Sequence, residues 1–358
     1  MTRKTFLQMK RRDFLKGTGA AVLSAPFLNL SARAASNQVV VRNPGGVYED
    51  TMRKAVYDPF TAATGIEVIS VPATFAKLMA MYRAGHLELD VIDISDGALV
   101  KLEREGAIEK IDYDSWTFTD PSDITPDLVR PHMVGNFLFA TVMGYSTEAF
   151  SAGNHPGSWA EFWDVEKYPG DRMLADIASG QPNLEFALLA DGVAKEDLYP
   201  LDLDRAFASM TRIRPAIKKF WDSGALSAQM MADQEVVLGS IWNGRLQSAA
   251  KGGAPLAIEW NENMLQVQAY GIFKDAPNAE NAQKLVDFAC GSEPGKVFAT
   301  ALNYGPANRK AYDLIDPALL AEMPGSPELA AKGFLQDVVY WEDNREEISR
   351  RWADWVIE

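Results

Sequence analysis

The residues that could do chemistry in this 358-residue chain are sparse for catalysis and better suited to holding a ligand. His86, His132, His155 and Cys290 show neither Cys-x-x-Cys nor His-x-x-x-His spacing, so no zinc or haem site is expected and no cofactor is called for. The run Gly291 to Lys296 is one residue short of a phosphate loop and reads as a turn between helices, with Pro294 at a helix start. Asp90, Asp93 and Asp96-Gly97 are acidic, but they lack the alternate-residue spacing of a calcium loop. No Gly-x-Ser-x-Gly elbow occurs. A pair of carboxylates acting as a glycosidase stays open, because two acids about 5 to 10 Å apart suffice. Two loops remain, Asn43-Pro44-Gly45-Gly46 and Ser95-Asp96-Gly97, whose small residues let backbone approach a ligand or make ordinary strand-to-helix turns.

Those loops take their meaning from the elements around them. Val39 to Val41 reads as a strand, then Tyr48, Met52, Ala55, Val56 and Phe60 share one helical face, and Ile66 to Val71 is β-branched. Phe75, Leu78, Met79 and Tyr82 make the next helical face, and Asp90 to Ile94 the next strand. Such alternation predicts a mostly parallel sheet covered by helices, with its ligand crevice at the carboxyl ends of the strands. Both loops stand at such ends, which makes Gly46, Tyr48, Ser95 and Asp96 candidates for ligand contact. Leu138 to Tyr145 is a long apolar run, with a first boundary expected near Thr141. Beyond it the pattern predicts a helix from Ser158, a strand over Arg172 to Asp176, a long helical span from Asp202 to Trp221, and strands over Val236 to Trp242, Leu256 to Trp260 and Leu265 to Phe273. Asn243-Gly244 is by itself a hairpin signal, although Arg245 to Ala250 looks helical. Trp341, Ile348, Trp352 and Trp355 recur on one face of a carboxyl-terminal helix, a stripe expected to dock onto the body of the protein.

The amino terminus carries an address. Lys10-Arg11-Arg12-Asp13-Phe14-Leu15-Lys16 precedes a weakly apolar run, Gly17 to Leu28, too short and too interrupted by Gly19 and Pro26 to span a bilayer. Ala32-Arg33-Ala34 supplies the small residues a signal peptidase reads. The pattern resembles a twin-arginine export signal, which implies residues 1–34 as a signal peptide cleaved near Ala34, passage through the twin-arginine translocase, and a periplasmic protein. Removing seven basic side chains (Arg3, Lys4, Lys10, Arg11, Arg12, Lys16 and Arg33) and one acid (Asp13) takes the net charge from −14 to −20. Nucleic acid and anionic lipid, which need basic patches, are thereby excluded as partners. With Cys290 alone, the chain needs no disulfide, in keeping with export after folding in a reducing compartment.

Taken in order, Asp58-Pro59-Phe60, Thr64-Gly65-Ile66-Glu67-Val68, Leu89-Asp90-Val91, Glu105-Gly106-Ala107-Ile108, Ser158-Trp159-Ala160-Glu161-Phe162-Trp163, Tyr199-Pro200-Leu201-Asp202, Ile241-Trp242-Asn243-Gly244 and Tyr304-Gly305-Pro306-Ala307-Asn308 resemble the spermidine/putrescine group of ABC-transporter solute-binding proteins. The resemblance implies a non-enzymatic receptor that hands a small-molecule ligand to an inner-membrane ABC permease. It implies an α/β, two-lobe periplasmic-binding-protein fold of the class II type, with the ligand cleft between lobes. Lobe 1 would hold 36–141 with a return segment 266–305, and lobe 2 would hold 142–265 with a carboxyl-terminal segment 306–358. By the same resemblance Ser95, Trp242 and Tyr304 occupy ligand-contacting positions. Gly97 replaces a family aromatic, and Gln266 and Gln268 replace a tryptophan and an aspartate on the return crossover. A polyamine-like solute is the family default, but neutral amides suit a zwitterion, a polar amide, a sugar-like hydroxyl set or a smaller amine paired elsewhere. Asp96, Asp176 and Glu262 are the candidate replacement carboxylates. A twin-arginine-exported hydrolase and a binding protein serving a sensor are the alternative readings.

Overall fold

The structure, a computed structural model, describes residues 37–357. The expected signal peptide and its cleavage site lie outside the described residues. Among the described residues no helix is long and apolar enough to cross a membrane.

The alternating pattern near the amino terminus folds as read. Strands Gln38–Asn43, Glu67–Pro72 and Val91–Ser95 lie parallel, with helices between them and helix Asp96–Arg104 after the third. Val39, Val41, Val91 and Ile92 are fully buried, as expected of strands covered on both faces. Gly65 ends the helix Asp58–Thr64 in the left-handed conformation, φ 73°, that glycine adopts without cost.

What sequence separated into short pieces becomes two long strands. Met133–Ser146 and Leu256–Ile272 run antiparallel through the middle of one sheet and pair from Val134 opposite Tyr270 to Ser146 opposite Leu256. The order across the sheet is 67–72, 38–43, 91–95, 256–272, 133–146, 238–242, 172–175, 217–221. The ladder slips at its centre: Thr141 faces Met264 but Met143 faces Glu259, so Trp260 to Asn263 stand opposite Val142 alone. Glu262 takes φ 56° in this bulge. Thr141 stands at the slip on one strand and Met264 on the other.

One expectation needs correcting. The span 202–221 is no single helix: Asp202 caps a helix over Leu203–Ile213, Pro215 sits in the turn that follows, and Ile217–Trp221 is a strand. Proline cannot donate the next helical hydrogen bond, and the β-branched and aromatic residues after it fit a sheet edge. Asn243-Gly244 opens the helix Asn243–Lys251, in keeping with the helical pattern of Arg245 to Ala250. The Asn243 amide is fully buried, accepting from the Ala140 N–H at 2.9 Å and donating to Gln247 Oε1 at 3.1 Å. After Gly305 the chain runs along the first half of the sheet: Gly305 and Pro306 pair with Leu138 and Phe137, and Lys310 meets Asp123 at 2.8 Å. Phe334 and Leu335 pair with Met264 and Leu265, and the Phe334 ring meets Phe186 of the second half edge-on at 6.4 Å.

The carboxyl-terminal helix, Val338–Ile357, buries Trp341, Ile348, Trp352 and Trp355 as its stripe predicted. Their ring N–H groups find acceptors within the body: Trp341 donates to Glu185 at 2.6 Å and Trp355 to Thr211 at 2.9 Å. At its outer edge the helix reaches across to helix Asp96–Arg104, with Glu342 at 3.4 Å from Lys101 and Asp343 at 2.6 Å from Arg104.

Candidate functional site

A cleft opens where the strands of the two halves end. It has a larger compartment of about 1190 Å³ and a smaller one of about 460 Å³, and Ile94, Ser95, Phe139 and Trp242 line both. Ser95, at the end of its strand, is exposed there, and its hydroxyl makes no capping bond to the helix that follows. Trp242 ends strand Leu238–Trp242, half-buried, with its ring edge-on to Trp221 at 5.3 Å and to Phe139 at 6.3 Å. A Cβ on Gly224 would come within 2.6 Å of that ring, so only glycine lets the neighbouring helix start so close.

In the larger compartment Tyr304 stacks on Phe137 at 4.7 Å and 15°, and Tyr48 meets Phe298 edge-on at 5.3 Å. Gln268 and Tyr48 line this compartment while holding a residue behind it. Gln268 donates to Asp93 Oδ1 at 2.8 Å, and the Tyr48 hydroxyl donates to Asp93 Oδ2. Asp93 is fully buried, and burial pushes its carboxyl up to about 6 against these donors and the nearby Arg42 charge. Arg42 donates to the carbonyls of Ala73, at 2.9 Å, and of Asp93. No carboxylate lies within ion-pair distance of Arg42, nor of Arg245 on the opposite wall, among the described residues. No acidic side chain lines this compartment.

The smaller compartment is different in character. Asp96 lies at its wall, its carboxylate accepting from the Gly97 N–H at 2.8 Å, and burial raises it to about 7 although Arg130 opposes the rise. Glu342 is held there between Lys101 and Arg345, whose Nε lies 2.9 Å away. Gln266 accepts from Thr141 Oγ1 at 2.7 Å and donates to Gln336 Oε1 at 3.4 Å.

Of the candidates named from sequence, Tyr48, Ser95, Asp96, Trp242, Gln266, Gln268 and Tyr304 come together around this cleft. Gly46 stands beside it. Gly45 and Gly46 have φ 82° and 63°, the left-handed region that the chain turn requires and that glycine adopts without cost. Asp176 does not line the cleft: its carboxylate caps the turn at Ala178, 2.8 Å away, and accepts from Trp352 Nε1 at 3.3 Å. Glu262 is likewise turned away, accepting from the Trp159 N–H at 2.8 Å. Asp93, Arg245 and Gln336 had no sequence assignment in the site. Strand parity offered a signal for Asp93, which shares a face with Ser95 two residues on. Arg245 follows Trp242 by three residues at the start of a helix. Among the described residues no cluster of His, Cys, Asp or Glu could hold a metal ion.

Residues 55–328 match the family model for bacterial extracellular solute-binding proteins. The chain is 31% identical over 333 residues to the gamma-aminobutyric acid-binding protein of Pseudomonas aeruginosa, covering 91% of this chain and 93% of that one. It is 27% identical over 326 residues to spermidine/putrescine-binding periplasmic protein 1 of Haemophilus influenzae, covering 87% and 86%. The solved structure of the Atu4243 GABA receptor superposes with a TM-score of 0.79 at 32% identity, covering 89% of this chain and 97% of that one. The expected periplasmic-binding-protein architecture is borne out by such neighbours. A cleft of polar and aromatic side chains, on this fold and with these relatives, makes the chain a member of the bacterial extracellular solute-binding proteins, receptors that serve ABC transporters and are not enzymes.

Proposed function

We propose that this protein captures a small zwitterion, an amino acid whose ammonium and carboxylate are separated by a short methylene chain, and delivers it to an ABC permease. The observation that carries this is the division of charge in the larger compartment. Arg245 and Lys251 line the wall from the second half, neither with an ion-pair partner among the described residues, and on the wall from the first half Tyr48 and Gln268 are backed by the buried Asp93, whose charge Arg42 offsets only in part. A ligand carboxylate on Arg245 and an ammonium against the Tyr48 and Gln268 wall would leave the methylenes over the Trp242 ring. A polyamine fits less well, because a second ammonium would meet Arg245 where it needs a carboxylate. Relatives named for gamma-aminobutyric acid support the same ligand class.

The lobes that would close on such a ligand divide at the ladder slip. Lobe 1 takes 36–141 with the return strand from about Met264 and the segment to about Gly325. Lobe 2 takes 142–260 and the chain from Phe334 onward. Export through the twin-arginine translocase is part of the same proposal, supported by Arg11-Arg12 and by a single cysteine. Arg11→Lys with Arg12→Lys is expected to hold the precursor in the cytoplasm, and normal processing of that variant would refute the route.

Calorimetry on the purified mature protein tests the ligand class with 3-aminopropanoate, 4-aminobutanoate, 5-aminopentanoate, putrescine and spermidine. At least one ω-amino acid is expected to bind tenfold or more tighter than either polyamine. Putrescine or spermidine binding tighter than all three amino acids would overturn the proposal.

A further inference from the structure

Asp93 has no exposure at all and sits one layer behind the cleft wall; among the described residues its carboxylate makes no ion pair, although the Arg42 guanidinium, which donates to the Asp93 backbone carbonyl, offsets part of its charge. Its two oxygens are not idle. Oδ1 accepts from the Gln268 side-chain amide at 2.8 Å, and Oδ2 accepts from the Tyr48 hydroxyl. Both donors belong to residues that line the larger compartment. Across the sheet Gln268 pairs with Ser95, whose strand also carries Asp93, so the three residues sit on adjoining strands in fixed register.

An ionised carboxylate accepts hydrogen bonds and cannot donate them, which decides how its neighbours must turn. Gln268 has to give Asp93 its NH2 group, since the reverse orientation would set two oxygens against each other. The amide carbonyl is thereby left for the cleft. Tyr48 has one hydroxyl proton, and it is given to Asp93. The phenol oxygen is then an acceptor, used once by Asn136 Nδ2 at 3.3 Å and with one lone pair remaining.

We propose that Asp93 is a positioning residue that turns Gln268 and Tyr48 into a paired acceptor surface for one ligand ammonium group. The ammonium touches the two neutral oxygens, while the carboxylate charge acts on it from behind. That arrangement favours an ammonium over a hydroxyl of the same size, because only the cation gains from the buried charge. It also explains how a chain with glutamine at position 268 can keep a negative charge for a cationic group without exposing an acid. This assignment rests on the zwitterion reading for the identity of the ligand, but the orientation of Gln268 does not.

The test compares 4-aminobutanoate with 4-hydroxybutanoate, which share length and carboxylate, on wild type, Asp93→Asn and Gln268→Met. Wild type is expected to prefer the amine, and Asp93→Asn to lose at least tenfold of that preference while binding the hydroxy acid within about threefold of wild type. Gln268→Met, which keeps the volume and removes the acceptor, is expected to lose amine preference by a similar factor. It also serves if Asp93→Asn does not fold. An unchanged amine-to-hydroxyl ratio in either folded variant would overturn the proposal. A second readout needs no ligand: the Gln268 side-chain amide protons, identified by NMR as the pair missing from Gln268→Met, are expected to be protected from solvent exchange in the wild type. Exchange as fast as that of an exposed glutamine would overturn the positioning role whatever the ligand is. Protected amide protons in a protein that binds no ω-amino acid would uphold the orientation and refute the zwitterion reading alone.

Discussion

Replacing Trp242 by alanine separates a ligand wall from a core residue. Its ring is half-buried, touches Trp221 and Phe139 edge-on, and faces both compartments of the cleft. A ligand with three methylenes packed on that ring gains about 0.8 kcal/mol per methylene, so truncation is expected to cost about 2 kcal/mol of binding, or roughly 30-fold in Kd. Folding should suffer less than the ~3–5 kcal/mol of a fully buried tryptophan, with about 1–2 kcal/mol expected for two edge contacts on a half-exposed ring. Trp159→Ala is the control. That side chain has no exposure, stacks on Phe186 at 3.8 Å, and lies outside the cleft lining. It should lose about 3–5 kcal/mol of stability and leave the Kd of the folded protein unchanged. Urea denaturation gives the stability of each variant and calorimetry gives the Kd. A Trp242→Ala protein that loses 3 kcal/mol or more of stability yet binds like the wild type would refute the cleft-wall argument.

Other perturbations follow from the same geometry. Arg245→Ala should weaken an ω-amino acid by about 10- to 100-fold, as expected for a lost charged hydrogen bond, with a melting temperature nearly unchanged because the side chain is exposed; an unaltered Kd would remove Arg245 from the site. Gln268→Asp puts a second carboxylate beside Asp93, so apo stability at pH 7.5 should fall and diamines should gain affinity relative to amino acids, and the absence of any diamine gain by calorimetry would count against the wall as a cation site. Burial raises Asp93 to about 6 and Asp96 to about 7, so the folded state holds these protons more tightly than the unfolded chain. Their contribution to stability is therefore fully present below the ordinary carboxylate range and is lost as pH rises through 6 to 7, with about 3 kcal/mol at stake for Asp93. Urea midpoints should be higher at pH 5 than at pH 7.5, and Asp93→Asn should flatten that slope; a wild-type slope of the opposite sign would refute the burial argument.

Much of the site was legible because strand ends are marked locally. Ser95 and Trp242 each follow an apolar run and precede a helix, and that pattern alone places a residue at the mouth of a sheet. Tyr304 and the two glutamines were legible only through their order in the chain. Asp93 was not, because a carboxylate inside an apolar strand shows its meaning only when the strand opposite brings Gln268 and the helix brings Tyr48. Asp176 ends a strand as Ser95 does, but its carboxylate accepts from Trp352 of the carboxyl-terminal helix, a contact that its place in the strand does not announce. The two crossovers read as short strands because each passes from one half to the other and changes its burial pattern on the way. The segment after Gly305 carries no periodic signal that says which half it joins.

The sheet order also sets a timetable for synthesis. Strand Val91–Ser95 finds one neighbour, Gln38–Asn43, almost at once, but its other edge pairs with Gln268 to Ile272. About 170 residues must be added before that partner exists, which at 5–20 residues per second is roughly 10–35 s. Throughout that interval the nascent chain presents an open edge bearing Asp93 and the apolar side chains around it, the kind of edge that recruits other strands. The ligand cleft therefore cannot begin to form until three-quarters of the chain has been made, and the growing polypeptide has to be shielded for that long by whatever binds unpaired strands in the cell.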